Sequence, residues 1–318
     1  MKQYPALLSP IMRPLPWGGR RLKTLSCASL PDEPIGEAWI MSIREGAVSA
    51  ILNGPLAGYR LSEYLEYFPK ALGKACADSI FPLLIKIIDA SDQLSVQVHP
   101  DDSYAARNEN EPGKTEMWYI IDAEPGSAIT AGLSSGVKVE DIVSGDPDDA
   151  FFKKIYPVPG DVIFVPPGLV HSIGAGILLC EIQQNSDLTY RIFDFGRKWG
   201  GVPRQLHLQK AADCIINYSN DDIEKLRFSE GGLDDPAIIC SCDKFTVKKY
   251  KATDDKPTTF KVKDDRFSAL TVVSFGADAE LATEGTSLPL AFGSCVFLPA
   301  GTGEVTVRGN AVFLISEI

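Results

Sequence analysis

Apolar and β-branched residues fall in short alternating or continuous runs at 81–88, 94–98, 117–122, 161–165, 177–183, 245–250, 268–275 and 311–315. Runs of this length separated by turn residues predict strands. Helical spacing is confined to 61–72, to 139–153 in two broken pieces, and to 205–218 followed by 221–228. Strands and helices do not alternate regularly, which disfavours a parallel doubly wound sheet and favours an antiparallel sandwich or barrel with inserted helices. A repeat sharpens this expectation. Gly160-Asp-Val-Ile-Phe-Val-Pro166-Pro-Gly168-Leu-Val-His171 reads as a glycine turn, a buried strand and a Pro-x-Gly turn; Gly293-Ser-Cys-Val-Phe-Leu-Pro299-Ala-Gly301-Thr-Gly-Glu304 follows the same spacing 133 positions later. Two copies predict two related β-barrels in tandem, joined by the helical stretch from 205 to about 228, with Glu304 standing where the first copy has His171.

With 318 residues and 45% apolar content the chain can form a sizeable core, and 27 glycines and 22 prolines without a period suit a turn-rich β fold. The balance of 42 acidic to 31 basic residues, net −11, repels nucleic acid and anionic membranes. A small anion would need a local convergence of Lys or Arg. Prolines and charges break up the first twenty residues where a signal peptide needs an apolar stretch, and no run suits a membrane helix; the expectation is a soluble, cytoplasmic protein. Seven scattered cysteines, Cys27 among them, fit a reducing compartment better than a disulfide framework, and Cys240-Ser-Cys242 reads as two buried thiols.

Candidate chemistry centres on the three histidines. In Leu94-Ser-Val-Gln97-Val-His99, Gln97 and His99 project from one face of a strand; His171 follows the Pro-x-Gly turn, and Glu116 opens the next strand. An amide oxygen, two imidazoles and a carboxylate form a mixed set suited to zinc or a similar divalent ion, with room for a water or substrate oxygen. His207, between Leu206 and Leu208, reads as structural.

The turn at 160–171 resembles the second cupin motif, and Gln97-x-His99 with Glu116 resembles the first, with glutamine for its first histidine and a longer gap before the glutamate. Together with Gly36-Glu37-Ala38-Trp39, Gly113-Lys114-Thr-Glu116-Met-Trp-Tyr119 and Gln184-Asn-Ser-Asp-Leu-Thr-Tyr-Arg191, these motifs closely resemble the short form of type I mannose-6-phosphate isomerases from 12 to about 207, and more loosely beyond. The resemblance implies tandem cupin-type jelly-roll barrels: a catalytic domain over 1–230 with helical insertions, and a degenerate cupin-like domain over 231–318, which is expected to be metal-free because no histidine follows His207. It also implies one Zn2+ per chain on Gln97, His99, Glu116 and His171, catalytic Arg191 and Lys114, and interconversion of mannose 6-phosphate and fructose 6-phosphate.

Aldose-ketose isomerisation passes a proton between C1 and C2 through an enediol, so a base and positive charge near both sugar oxygens are required. Lys114 can serve proton transfer or hold substrate. Lys86, inside an apolar run, either faces a cavity or lies on an edge strand with its head in solvent. Trp17 and Trp39 are sugar-stacking walls or core pieces. Glu181 and Gln183 share a strand face from which a hydrogen bond to a ligand side chain is expected. No glycine-rich phosphate loop occurs, so no phosphate site is legible. Another metal cupin, such as an iron dioxygenase or a sugar epimerase, and a non-catalytic sugar-phosphate sensor are the alternative readings.

Overall fold

The computed structural model describes residues 2–25, 32–76, 81–144, 147–228 and 236–318. Cys27 and the expected domain boundary at 230/231 lie outside the described residues. Two sheets form the first barrel. A seven-stranded antiparallel sheet runs in the order Arg227–Phe228, Val162–Val165, Glu116–Ala123, Ile177–Gln184, Leu83–Ala90, Ile11–Gly19, Ile35–Met41. Facing it is a five-stranded sheet ordered Phe152–Ile155, Ile129–Leu133, His171–Ile173, Val96–Val98, Tyr190–Phe193. The second barrel is a nine-stranded sheet system built on the long strand Gly303–Glu317. Its edge includes Ala6–Leu8, which pairs antiparallel with Cys295–Leu298. The tandem cupin-type architecture expected from the repeat is therefore the architecture observed.

The larger sheet is buried on both faces, which is why its strands read as nearly continuous apolar runs. Strand alternation assigns each residue to one side. Leu83, Ile85, Ile87, Met117, Cys180 and Ile182 join Phe267, Ala269, Phe297 and Leu314 in the core between the barrels. Ile88, Trp118, Ile120, Ile177 and Leu179 pack with Ile129, Ala131 and Ile173 of the smaller sheet inside the first barrel. By the same parity Lys86, Glu116, Glu181 and Gln183 point inward. They are polar interruptions of apolar strands, and all are buried.

Gly168 makes the Pro-x-Gly turn possible. Its φ is +83°, and a Cβ there would lie 2.7 Å from the Ile216 side chain and 2.8 Å from the Cys214 carbonyl. The turn aims His171 into the barrel. At the matching turn Gly301 has φ +76°, but Glu304 is exposed on the outside of the second barrel.

Several expected elements are shorter or different. The helix expected over 61–72 is Leu61–Tyr67, ending one residue before Phe68, whose backbone is restricted by Pro69. The expected helical segment to 153 gives helices at Val139–Ser144 and Asp149–Phe151, after which Phe152–Ile155 pairs with Ile129–Leu133 as a strand. The helix Asn220–Lys225 likewise yields to the strand Arg227–Phe228, because Arg227 is drawn to the fully buried Asp161 by contacts of 2.9 and 2.6 Å. The stretch over 205–218 contains only Leu208–Cys214 as helix.

Candidate active site

Gln97, His99, Glu116 and His171 converge inside the first barrel from three stretches of chain: the strand Val96–Val98 with the residue after it, and the starts of Glu116–Ala123 and His171–Ile173. His171 lies opposite Gln97 in the smaller sheet, while Glu116 enters from the start of its strand in the larger one. His99 Nε2 is 3.6 Å from Glu116 Oε2 and His171 Nε2 is 3.4 Å from Glu116 Oε1, with the two imidazole rings 4.6 Å apart. His171 Nδ1 donates to the Leu169 carbonyl at 2.9 Å, since a carbonyl can only accept, and this leaves the Nε2 lone pair facing the carboxylate. The Gln97 amide nitrogen donates to that lone pair at 3.3 Å, and a half-turn of the amide would present Oε1 instead.

The donor set fits a divalent cation. His99 Nε2 and Glu116 Oε1 are buried without a hydrogen bond, and each such orphan costs about 1–3 kcal/mol unless a partner binds. Burial holds His171 down to about 4 and His99 well below the usual histidine range, so both imidazoles stay neutral as ligands must be. Burial, reinforced by the Glu181 charge, pushes the Glu116 carboxyl up. A cation against it would reverse that cost.

A cleft of about 140 Å³ opens beside this cluster, lined among others by Trp17, Lys86, Gln97, Lys114, Glu181 and Arg191. Lys114 Nζ stands 3.1 Å from Glu116 Oε2 and is buried. Lys86 is on an interior strand, so the edge-strand alternative does not hold. Its ammonium lies 3.0 Å from Glu181 and 3.9 Å from Glu37, and these carboxylates raise its pKa against the effect of burial. Burial alone would raise Glu181, but Lys86 and Lys114 outweigh it and hold the carboxyl low.

Among the described residues, the hydrogen bond expected from Glu181 or Gln183 to a ligand side chain is not formed. Glu181 instead accepts from Trp118 Nε1 at 3.0 Å and pairs with Lys86, the ammonium directly across the strand pair. Gln183 donates to the carbonyls of Gln184 and Ser186. Trp17 lines the cleft, whereas Trp39 is a core residue whose Nε1 donates to Glu37 at 2.6 Å. His207 is structural, as expected: its Nδ1 accepts from the Arg191 backbone N–H at 3.1 Å, and its backbone N–H donates to the Arg191 carbonyl at 2.8 Å. Arg191 is thereby clamped at both main-chain groups. It stands across from Gln97, with Nε donating to Ser95 Oγ at 3.2 Å and a terminal nitrogen to the Gln205 carbonyl at 3.0 Å.

Sequence reasoning did not single out Ser95, Asp187 and Arg204, which also line the cleft, nor give Glu37 a role. Ser95 was within reach, sharing strand parity with Gln97 and His99; Arg204 lies in an irregular segment with no period to reveal it.

Two jelly-roll barrels in tandem, the first carrying inward-facing imidazoles and a carboxylate beside a cationic cleft, define a cupin with a candidate metal centre. Residues 7–127 match the family model of the phosphomannose isomerase type I catalytic domain, and 237–318 match that of the mannose-6-phosphate isomerase cupin domain. Over 324 residues, 100% of both chains, the protein is 34% identical to the mannose-6-phosphate isomerase ManA of Bacillus subtilis (strain 168). It is 38% identical over 250 residues, 78% of each chain, to the mannose-6-phosphate isomerase of Streptococcus mutans serotype c (strain ATCC 700610 / UA159). The crystal structure of the mannose 6-phosphate isomerase from Bacillus subtilis superposes with a TM-score of 0.83 at 32% identity, covering 99% of this chain and 100% of that one. The chain belongs to the type I mannose-6-phosphate isomerase family, and so to the aldose-ketose isomerases.

Proposed function

We propose that this isomerase binds one zinc ion per chain through Gln97, His99, Glu116 and His171 and uses it to interconvert D-mannose 6-phosphate and D-fructose 6-phosphate. The observation that carries the reading is the buried group of His99, Glu116 and His171, whose donor atoms all lie within 4.8 Å of one another. A bound divalent ion would supply positive charge to the two sugar oxygens between which the carbonyl moves. Lys114, beside Glu116, is the group that gives or takes the proton at those oxygens or holds a hydroxyl. Arg191 keeps its charge throughout, although burial and the neighbouring Arg204 charge lower its pKa, and its guanidinium hydrogen-bonds developing oxyanion charge without competing for the transferred proton. Lys86 and Glu181 form a fixed polar wall and Trp17 an apolar one, so the sugar is oriented and water is displaced.

We assign the catalytic machinery to 1–230 and enclosure and packing to 231–318, with the Ala6–Leu8 strand reaching into the second sheet. No described helix is long and apolar enough to cross a membrane, and the acidic composition suits a cytoplasmic metabolic enzyme acting on a free hexose 6-phosphate rather than on nucleic acid. A coupled assay of mannose 6-phosphate conversion tests the reading: chelator should abolish turnover and added zinc restore it. Undiminished turnover after complete removal of metal would refute the metal role.

A further inference from the structure

Lys114 differs from Glu116 in how its backbone is held. Glu116 is fixed by the sheet ladder, since it opens the strand Glu116–Ala123 and lies opposite Val165 on one side and Gln183 on the other. Lys114 precedes that strand by two residues, so its place beside Glu116 depends on what binds the backbone of the segment 113–115. The Gly113 N–H donates to Asp102 Oδ1 at 2.8 Å, the Lys114 N–H to the Pro100 carbonyl at 3.0 Å and the Thr115 N–H to Gln184 Oε1 at 2.9 Å. Gln184 also donates from Nε2 to Asp102 Oδ1 at 3.0 Å, and its backbone N–H donates to the Thr115 carbonyl at 3.0 Å. Gly113 lies hard against the chain here: a Cβ on it would be 2.4 Å from the Asp102 nitrogen and 2.5 Å from the Asp101 carbonyl carbon.

One oxygen of Asp102 thus ties Gly113 to Gln184. The other meets the second barrel. Lys244 Nζ stands 2.9 Å from Asp102 Oδ2 and 2.8 Å from Asp243 Oδ2. Lys244 sits in the turn between Ala237–Ser241 and Thr246–Ala252, which the Cys242 N–H closes on the Phe245 carbonyl at 3.0 Å. Burial alone would raise the Asp102 carboxyl, but the contacts with Lys244, Gln184 and Gly113 outweigh it and hold the carboxyl low, so Asp102 is an anion that only accepts. Bonds to an ionised carboxylate are roughly twice as strong as neutral ones. Neither Asp102 nor Lys244 lines the cleft. Their reach into the reaction runs through the backbone: an error of about 1 Å in the place of a catalytic group costs about 10²-fold in rate.

We propose that Asp102 and Lys244 are positioning residues for the isomerisation: the second barrel, through this ion pair, holds the segment 113–115 and so sets where the Lys114 ammonium meets the sugar oxygens. The second barrel then shares in the reaction as well as enclosing the cleft. The inference rests on the role given to Lys114 above, but the anchoring of the segment can be measured without turnover.

The test uses the whole chain, loaded with metal, as Lys244→Met, Lys244→Arg, Asp102→Ala and the double variant Asp102→Ala/Lys244→Met. kcat and KM for mannose 6-phosphate are read alongside metal content, and backbone hydrogen exchange is followed over 113–115. Asp102→Ala should lower kcat about 10- to 100-fold. Lys244→Met, which breaks a partly exposed pair, should lower it about 2- to 5-fold. In both, KM should stay within about threefold of wild type and metal should be retained, because Glu116 keeps its ladder partners. Lys244→Arg should keep wild-type kcat, and Lys244→Met should have no further effect once Asp102 is alanine. Amide exchange over 113–115 should quicken about 2- to 5-fold in Lys244→Met and not in Lys244→Arg. Wild-type kcat in folded Asp102→Ala or Lys244→Met would overturn the proposal; so would a loss confined to KM, or a second loss from Lys244→Met in the Asp102→Ala background. Should Asp102→Ala not fold, equal losses in Lys244→Met and Lys244→Arg would overturn it. If the wild-type chain did not convert mannose 6-phosphate, the isomerase reading would fail, and unchanged exchange over 113–115 in Lys244→Met would still overturn the anchoring.

Discussion

Lys86→Met removes an ammonium and keeps the unbranched stem. The neighbouring Glu181 carboxylate, 3.0 Å away, is then buried with the Trp118 hydrogen bond but without its main counter-charge. Breaking a buried pair in this way costs about 3–5 kcal/mol. The carboxylate can escape by taking a proton, which sets a ceiling. Protonating at pH 7 a group whose ordinary pKa is 4.5 costs about 1.4 kcal/mol for each of the intervening pH units, or roughly 3.4 kcal/mol. At pH 5.5 the same ceiling is only about 1.4 kcal/mol. The sign follows from linkage. In wild type Glu181 is held below its ordinary value, so its stabilisation is present from pH 4.5 upward and fades only below that. In the variant it is raised above that value, so stability is lost as pH rises. The deficit of Lys86→Met should therefore shrink by about 2 kcal/mol between pH 7 and 5.5. Urea midpoints of the chelator-treated proteins at both pH values measure it, and groups common to the two chains cancel in the difference. Lys86→Met/Glu181→Gln should recover most of the loss. A deficit independent of pH, or no recovery in the double variant, would refute the electrostatic account.

His171→Ala should lose both bound metal and activity, and elemental analysis together with the coupled assay reads both. Arg191→Ala should lower kcat by a factor on the order of 10² or more with metal content unchanged, whereas near-normal kcat and KM would make it a surface residue. Elemental analysis should find one tightly held ion per chain; two ions, with one lost in Glu304→Ala, would contradict a metal-free second barrel. Gly168→Ala should lower the thermal midpoint by an amount equivalent to about 1–3 kcal/mol, because a Cβ meets Ile216 and the Cys214 carbonyl at positive φ.

What the sequence alone determined follows from local periods. Strand alternation placed Gln97 with His99 on one face, the Pro-x-Gly turn with its repeat 133 positions on marked two barrels, and lysine or glutamate inside apolar runs marked inward polar positions. Period cannot say which strand will lie beside which. The pairing of Lys86 with Glu181, the clamping of the Arg191 backbone by His207 and the transfer of Ala6–Leu8 to the second sheet all join residues outside one another's local window. Helix ends were misjudged for the same reason: at Phe152 and Arg227, pairing with Leu133 and the pull of buried Asp161 outweighed a weak helical preference. Those choices were settled by tertiary structure, because burying both faces of the larger sheet and satisfying its inward charges depend on contacts that no local window contains.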